Sequence, residues 1–337
     1  MRIGGDAPVS IQSMINTPGT DIPACIRQVR ELETAGCEIV RMAVPDTAAL
    51  KSFAEVKKHT RIPLVADIHF DYKLALGALD AGADKIRINP GNIGPEARIR
   101  KVLSACKARG VPIRIGVNGG SLERDLLEKY GHPVAEALVE SAERHIRICE
   151  EQDFRDIIVS IKSSRVMTMI EANRKFAQRF DYPLHIGVTE SGTERTGSIR
   201  SAVGIGTLLA EGIGDTLRVS LSADPVREIR AARSILASLG LRRGGVEVLS
   251  CPTCGRASFD VAAVAEALED RVKDIPKEIT VAVMGCVVNG PGEAREADMG
   301  IAGAGPDRVM LFEDGNKCGT YPLEGIMDIL LERIRRR

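Results

Sequence analysis

Aromatic residues are scarce in this sequence of 337 residues: they make up 3%, and tryptophan is absent. Proteins that bind single-stranded nucleic acid stack bases on aromatic side chains, so the scarcity counts against that class. A charge surplus is also missing, because 46 Lys and Arg balance 46 Asp and Glu. Contact with a phosphate backbone usually needs a basic surplus, so a nucleic-acid-binding protein is disfavoured on both counts.

Long apolar runs are missing too, and no run approaches the roughly 18 residues that a membrane span needs. The first residues, Met1–Asp6, lack the apolar core of a secretory signal. Eight cysteines without such a signal predict a reducing compartment, where thiols pack, react or bind metal instead of forming disulfides. We therefore expect a cytoplasmic protein. Because 337 residues are more than one hydrophobic core usually holds, we also expect two domains.

The first part of the chain alternates short β-branched runs with longer helical patterns. Eight strand–helix units in about 240 residues favour a TIM (β/α)8 barrel. An open doubly wound sheet is the alternative, but no Gly-x-Gly-x-x-Gly follows the first strand. The predicted strands are Val9–Met14, Glu38–Val44, Pro63–His69, Lys85–Asn89, Pro112–Val117, Asp156–Ser163, Leu184–Thr189 and Thr216–Leu221.

The helical patterns between these strands have clear start and stop signals. The first begins at Asp21 and stops at Gly36, and the last has Asp224 as its N-cap, Pro225 in its first turn and Gly240 after its end. A long helical insert is predicted from Ser121 to Gln152.

The string from Leu239 to Gly245 is typical of a linker and predicts a barrel domain at residues 1–241 and a small α+β domain at residues 242–337. The elements predicted for the second domain are strands at Val246–Leu249, Thr280–Met284, Met299–Ala302 and Asp307–Phe312, with helices beginning at Ser258 and Leu323.

Polar residues stand where the predicted barrel strands end, which is where a TIM barrel forms its active site. Strand residues two positions apart share a face, so Arg87 and Asn89 point one way, while Ile86 and Ile88 face the helices. We therefore expect the polar set to point into the barrel mouth. The set is Arg41, Asp67, His69, Arg87, Asn89, Arg114, Asn118, Lys162, Glu190, Arg218 and Ser220.

Five members of this set are cations, and only Asp67 and Glu190 are carboxylates. A layer of internal salt bridges is one interpretation, but the surplus positive charge must be balanced inside a desolvated barrel. Forked arginine donors match phosphate oxygens. We predict a ligand with two negative charges or a diphosphate. His69, beside Asp67, is either an acid–base group or a hydrogen-bonded structural residue.

The second predicted domain carries three cysteines in loops: Cys251 and Cys254 in a Cys-x-x-Cys turn, and Cys286 after the second strand. Such a turn directs both sulfurs at one centre. A zinc site would add a fourth Cys or His, but no histidine follows His185, and a redox pair needs no third cysteine. A 4Fe–4S cluster is favoured over both, and a tight turn makes Glu293 the candidate for a weaker fourth ligand.

The remaining five cysteines have other predicted roles. Cys318 lies in a separate predicted loop and stays a possible fourth ligand. The four cysteines on helical or strand patterns of the barrel are predicted to be small buried hydrophobes: Cys25, Cys37, Cys106 and Cys149.

Two alternative functions remain open at this point. One is an enzyme of pterin or aldol type with another phosphorylated substrate and a structural zinc domain. The other is a non-enzymatic protein with a zinc-ribbon-like domain.

Five motifs of the sequence belong together. They are Ile3-Gly4-Gly5-Asp6-Ala7-Pro8, Lys85-Ile86-Arg87-Ile88-Asn89-Pro90-Gly91-Asn92, Gly187-Val188-Thr189-Glu190, Cys251-Pro252-Thr253-Cys254-Gly255-Arg256 and Gly285-Cys286-Val287-Val288-Asn289-Gly290-Pro291-Gly292-Glu293. With these motifs the chain resembles one family, the 4-hydroxy-3-methylbut-2-enyl diphosphate synthases of the non-mevalonate isoprenoid pathway, in their compact two-domain bacterial form. The resemblance covers nearly the whole chain.

The resemblance implies an iron–sulfur oxidoreductase that opens 2-C-methyl-D-erythritol 2,4-cyclodiphosphate with two electrons and loses water. It implies flavodoxin or ferredoxin as electron donor and a 4Fe–4S cluster with an open iron. Glu190 and Asp67 would supply or relay a proton, and Glu293 would yield its place on the iron to substrate. The cluster ligands would be Cys251, Cys254, Cys286 and Glu293, and the substrate-binding residues Arg41, Asp67, Arg87, Asn89, Arg114, Asn118, Lys162, Arg218, Ser220 and Asn289.

The resemblance also implies a homodimer, and the linker gives a physical reason for it. The last barrel helix should end at the face opposite the mouth, because it runs antiparallel to the strands. The linker from Gly240 to Gly245 extends only about 20 Å. We therefore expect a head-to-tail dimer in which the cluster domain of one chain serves the barrel of its partner.

Overall fold

The computed structural model describes residues 1–89, 92–242, 245–273, 275–288 and 290–337. It divides into two compact units, Met1–Arg242 and Arg243–Arg337. Among the residues that it describes, none of the helices combines the length and the apolar character that crossing a membrane demands.

Eight parallel strands form the first unit, in the order β6-β5-β4-β3-β2-β1-β8-β7. A parallel bridge between Val159 and Leu184 joins the two ends of this order, so the sheet is a nearly closed barrel. The predicted TIM barrel is confirmed. The strands are β1 (Ser10–Met14), β2 (Ile39–Ala43), β3 (Leu64–Ile68), β4 (Lys85–Ile88), β5 (Ile113–Asn118), β6 (Ile157–Lys162), β7 (His185–Ile186) and β8 (Thr216–Leu217).

Helices cover the outside of the barrel and bury its apolar strand faces. Asp21 and Asp224 cap the first and last helices, because their side chains accept hydrogen bonds from the N–H groups of Ala24 and Val226. The predicted N-cap Asp224 is confirmed, and Asp21, where the first helical pattern was predicted to begin, is the N-cap of α1. The helices are α1 (Ile22–Thr34), α2 (Thr47–His59), α3 (Tyr72–Asp80), α4 (Glu96–Arg109), α5 (Arg124–Tyr130), α6 (Ala135–Glu151), α7 (Val166–Ala177), α8 (Glu194–Ala210) and α9 (Pro225–Ser238).

Two predictions for the barrel are wrong in detail. The insert after β5 is a pair of helices, because Gly131 has φ 76° and ends α5, and Pro133 follows in the connection to α6. The strands β7 and β8 are much shorter than predicted. The Leu221 N–H donates to the Glu228 carboxylate instead of to a neighbouring strand, so β8 ends before its predicted end.

The second unit is a five-stranded mixed sheet in the order β13-β12-β11-β10-β9. The strands β9, β10 and β11 are parallel, and β12 and β13 extend the sheet in antiparallel pairing. One apolar core joins the sheet to two of the helices. The elements are β9 (Val246–Ser250), α10 (Val261–Val272), β10 (Ile279–Met284), α11 (Gly290–Glu296), β11 (Met299–Gly303), β12 (Arg308–Glu313), β13 (Asn316–Pro322) and α12 (Ile326–Arg336).

The second unit differs from the prediction at three places. Cys318 lies on β13, a mostly exposed edge strand whose polar sequence lacks an apolar alternation, and not in a loop. Glu293 lies in the first turn of the short helix α11, where a tight turn was expected. The helix α10 begins after Ser258, because the Asp260 side chain accepts from the Ala263 N–H and caps it there, and α12 begins at Ile326.

Candidate active site

The side chain of Asp67 is the centre of the barrel mouth. Its Oδ1 accepts from Nη1 of Arg87 at 2.8 Å, and its Oδ2 lies 3.5 Å from Nε of Arg41 and 3.4 Å from Nε2 of His69. Three neighbouring strands place these groups together, since Asp67 pairs in register with Ala43 of β2 and with Arg87. Burial raises the pKa of the Asp67 carboxyl, but Arg41, His69 and Arg87 outweigh it and hold that pKa well below its usual range. Asp67 is therefore an anion that orients two arginines.

The guanidinium of Arg114 is buried in the same mouth without a partner. The residue is 1% exposed, and its three nitrogens make no hydrogen bond to any part of the chain that the structure describes. Burial and the nearby Arg41 and Arg87 lower its pKa well below the usual range. An unpaired buried cation beside other cations is costly unless an anion joins it. This side chain is the strongest indication of an anionic ligand.

Lys162, at the end of β6, adds to the same charge. It is 7% exposed and forms no ion pair within the described ranges. Burial, with Arg114 and Arg41, lowers its pKa well below the usual range. A ligand with more than one negative charge, such as a diphosphate, would suit this group of buried cations.

Two glycines make room for these cations, and sequence reasoning missed both. A Cβ on Gly116 of β5 would lie 2.6 Å from Nε of Arg87, and one on Gly187 would lie 2.4 Å from the carbonyl oxygen of Arg218 and 3.2 Å from Nζ of Lys162. Any side chain at either position would occupy space that the cations use.

A second polar layer inside the barrel was also missed. Lys85 begins β4, and burial, reinforced by Arg114, lowers its pKa to about 7. His185 begins β7 and is fully buried, and burial, with Arg114 and Lys162, lowers its pKa well below the usual range. TIM-barrel interiors are usually filled with branched apolar residues. The alternation that places Arg87 inward does the same for Lys85, so this signal was available in the sequence.

Glu190 lies on a loop between β7 and α8 with a strained backbone. Its φ is 52°, the left-handed region that costs an ordinary residue about 1–2 kcal/mol. Three aspartates within the described ranges share this region, but aspartate tolerates it better than glutamate does. The exposed Glu190 side chain stands on a loop where strained residues are often functional.

The other predicted mouth residues differ in their surroundings. Arg218 is paired with Glu228 of α9, a carboxylate that sequence reasoning missed. Nδ2 of Asn89 donates to Oγ of Ser121 at 2.8 Å. Asn118 ends β5 half-buried, and Ser220 follows β8 with its carbonyl accepting from the Ser191 hydroxyl.

Loops at adjacent strand ends carry the predicted cluster cysteines. Cys251 follows β9, Cys286 follows β10, and the Gly285 N–H donates to Sγ of Cys251 at 3.2 Å. Backbone and side-chain hydrogen bonds from Arg256 lower the pKa of the Cys254 thiol, and the nearby Cys286 opposes them. The three thiols therefore share one end of the parallel strands.

Three cysteine thiols in neighbouring loops are the type of donor that iron–sulfur clusters use. No group of three or more His, Cys, Asp or Glu in the described ranges is close enough to hold one metal ion, so Glu293 does not form such a group with the thiols. The N–H donor to Cys251 is typical of cluster loops. Asn289, predicted to contact the diphosphate, lies outside the described residues.

The four barrel cysteines are buried, as predicted. Burial raises the pKa of the thiols of Cys37, Cys106 and Cys149 to about 12, which leaves them protonated and inert.

We predict that Arg114→Met stabilises the ligand-free chain while weakening anion binding. Methionine keeps an apolar stem and removes the unpaired charge, so the free energy of unfolding should rise by about 1–3 kcal/mol. Pyrophosphate affinity should fall about 10-fold or more, because a charged contact contributes roughly 1.5–3 kcal/mol. Thermal unfolding with and without pyrophosphate measures both effects. Arg174→Met, which breaks an exposed ion pair with Glu211, is the control. A destabilised Arg114→Met chain with unchanged pyrophosphate affinity contradicts the prediction.

Two family models match the chain: one described as the GcpE TIM-barrel domain matches residues 1–233, and one described as the GcpE protein C-terminal domain matches residues 247–336. A relative from Symbiobacterium thermophilum is 54% identical over 337 residues, covering 100% of this chain and 91% of the relative. Another, from Geobacillus thermodenitrificans, is 55% identical over 334 residues, covering 99% and 89%. Both are named 4-hydroxy-3-methylbut-2-en-1-yl diphosphate synthase (flavodoxin).

Among solved structures, a dihydropteroate synthase from Yersinia pestis is similar with a TM-score of 0.50 and 15% identity, covering 70% of this chain and 94% of that chain. At this identity the similarity concerns the barrel fold alone.

Proposed function

The chain belongs to the GcpE family of 4-hydroxy-3-methylbut-2-en-1-yl diphosphate synthases, and from this we infer that it is an oxidoreductase that opens 2-C-methyl-D-erythritol 2,4-cyclodiphosphate. Two electrons enter, the ring opens, and one oxygen leaves as water to give the allylic diphosphate. A pterin- or aldol-type enzyme with a zinc domain is no longer a candidate, since full-length relatives share both domains.

The observation that supports this substrate is the unpaired guanidinium of Arg114. A cyclic diphosphate brings two negative charges on one compact group. We propose that it binds beside Arg114 and Lys162, with Arg41 and Arg87 held at its rim by Asp67. The forked N–H groups of arginine match phosphate oxygens. The diphosphate would therefore accept hydrogen bonds from the Arg114 nitrogens, which have no other acceptor in the described residues. Asn89, Asn118, Arg218, Ser220 and Asn289 complete the proposed binding set.

Glu190 is the proposed proton donor. Arg41, His69 and Arg87 hold the pKa of Asp67 well below its usual range, so this carboxylate resists taking up the proton that a donor must first carry. Glu190 stands on a strained, exposed loop at the end of the barrel where the ligand is proposed to bind. In the proposal it protonates the departing C3 hydroxyl oxygen, which then leaves as water, because hydroxide is a poor leaving group.

Cys251, Cys254 and Cys286 would hold a 4Fe–4S cluster, with Glu293 as the exchangeable fourth ligand. When bound, such a cluster supplies single electrons and a Lewis-acidic iron. The flavodoxin in the relatives' names makes flavodoxin the proposed donor for this chain, with ferredoxin as the other candidate. Thiols that bind iron need a reducing environment, so we propose the cytoplasm as its location.

The test is an anaerobic assay with the reconstituted full chain, the cyclodiphosphate and reduced flavodoxin. The expected result is the allylic diphosphate, with none formed when flavodoxin is omitted. A chain that carries its cluster and accepts electrons but forms no product contradicts the proposal.

We also propose that the active site is shared in a homodimer. The helix α9 begins at the mouth, after β8, and its 14 residues extend about 21 Å toward the opposite face. The linker from Gly240 to Gly245 spans about 20 Å at most. A cluster domain that serves its own barrel would need this linker stretched along the entire outer wall, and a head-to-tail partner avoids that requirement.

Mixing two inactive variants tests the shared site. Glu190→Gln chains and Cys286→Ser chains, exchanged as subunits, should regain activity, because each mixed dimer pairs one intact barrel with one intact cluster domain. With random exchange about half of the dimers are mixed and carry one good site, so we expect about a quarter of wild-type activity. Activity that stays at the level of the parents, despite exchange shown by mass spectrometry, contradicts the shared site.

A further inference from the structure

The carboxylate of Glu228 is buried beside the mouth, and each of its two oxygens accepts two hydrogen bonds. It is 2% exposed, although it lies in the first turn of an outer helix, α9. Oε1 accepts from Nη2 of Arg218 at 3.0 Å and from the Leu221 N–H at 3.1 Å. Oε2 accepts from Nε of Arg218 at 3.0 Å and from the Ser13 hydroxyl at 2.7 Å. Four donors satisfy the charge, which is the condition for burying it.

The fork onto Glu228 fixes the direction of the Arg218 guanidinium. Nε and Nη2 form two parallel hydrogen bonds, so the plane cannot rotate, and Nη1 is left on the opposite edge. Nη1 lies 3.5 Å from the sulfur of Met14, a weak acceptor. Arg41 donates to the same sulfur from Nε at 3.1 Å and from Nη2 at 2.8 Å. N–H groups of both arginines thus point at the sulfur of Met14. A phosphate oxygen is a much stronger acceptor than this thioether and would replace it as their hydrogen-bond partner.

Glu228 also orders the chain that follows Arg218. Its bond to the Leu221 N–H ties down the residue next to Ser220, and its bond to Ser13 joins this turn to β1. One carboxylate from outside the barrel therefore holds both the arginine and the backbone that follows it.

We propose that Glu228 is a positioning residue for substrate binding: it aims Nη1 of Arg218 at the diphosphate through the fork and does not touch the substrate itself. The proposal rests on the proposed function, because it takes the cyclodiphosphate as the ligand. It assigns Glu228 no part in proton or electron transfer, so losing it should raise KM and leave kcat nearly unchanged.

The experiment compares Glu228→Gln, Arg218→Ala and the double variant in the complete enzyme. Glutamine keeps the shape but places an NH2 group against an arginine donor, so the fork is lost. KM for the cyclodiphosphate should rise about 10-fold or more, with kcat within about threefold. Because Glu228 acts through Arg218, the double variant should have the KM of Arg218→Ala within about threefold. Glu211→Gln, which breaks an exposed fork onto Arg174, is the control for KM and melting temperature.

Multiplicative effects on KM in the double variant, or an unchanged KM in Glu228→Gln, would overturn the proposal. If Glu228→Gln does not fold, Glu228→Asp replaces it: the charge stays, but the shorter side chain cannot reach both Arg218 and Leu221. KM should then rise at least about fivefold, and an unchanged KM would again overturn it. A wild-type enzyme that carries its cluster but does not convert the cyclodiphosphate contradicts the proposed function instead, so the two failures are distinguishable.

Discussion

Glu190→Gln should lower kcat by about 100-fold or more while KM for the cyclodiphosphate stays within about threefold. Glutamine keeps the size and hydrogen-bonding reach of the side chain but has no proton to give. The left-handed backbone at φ 52° suits glutamine no worse than glutamate, so the loop should keep its shape. In the proposed complex the affinity rests on the arginines and Lys162, which this substitution does not alter.

Steady-state kinetics with reduced flavodoxin measure this effect, and Glu194→Gln is the matched control. Glu194 lies four residues further on, in the first turn of α8, and pairs with Arg227 on the surface. The same change of charge there should leave kcat within about twofold, since it removes only an exposed ion pair. Normal turnover by Glu190→Gln would exclude this residue as the proton donor, and Asp67 could not replace it while ionised.

The barrel could be predicted because its signals are local and repeated. Asp21 and Asp224 cap helices through contacts two or three residues away, and alternation along a strand assigns Arg87 and Ile88 to opposite faces. The end of β8 and the insert after β5 were predicted poorly. They depend on a bond from the Leu221 N–H to Glu228 and on a helix break near Gly131, where hydrophobic periodicity carries no information.

The charge of the mouth was predictable, but its pairing was not. The sequence analysis counted Asp67 and Glu190 as the carboxylates of the mouth, whereas the buried carboxylates in the described residues are Asp67 and Glu228. Its partners Arg218 and Ser13 lie 10 and 215 residues away in the sequence, so only the closed barrel brings them together. In the sequence, Glu228 is one of many acidic residues in the first turn of a helix. A long-range contact of this kind has no local signature.

The cysteines of the second unit should divide sharply in their response to substitution. Cys251→Ser, Cys254→Ser and Cys286→Ser should each lose the brown colour and all activity, because a serine hydroxyl is a poor ligand for iron in place of a thiolate. Cys318→Ser should keep both. Cys318 is the matched control, an exposed cysteine of the same unit that lies on β13 with its sulfur 3.5 Å from Oε2 of Glu313.

Iron and labile sulfide analysis, with the visible spectrum of anaerobically prepared chains, decides the outcome. The wild-type chain should contain about four irons and four sulfides, as one 4Fe–4S cluster requires. Loss of colour in Cys318→Ser would indicate that the fourth ligand is Cys318 on β13 and not Glu293. Zinc at full occupancy without labile sulfide would refute the cluster altogether, since zinc binds thiolates but carries no electrons. Because Cys251 already accepts an N–H bond from Gly285, its serine variant should still fold, which separates loss of the cluster from loss of the domain.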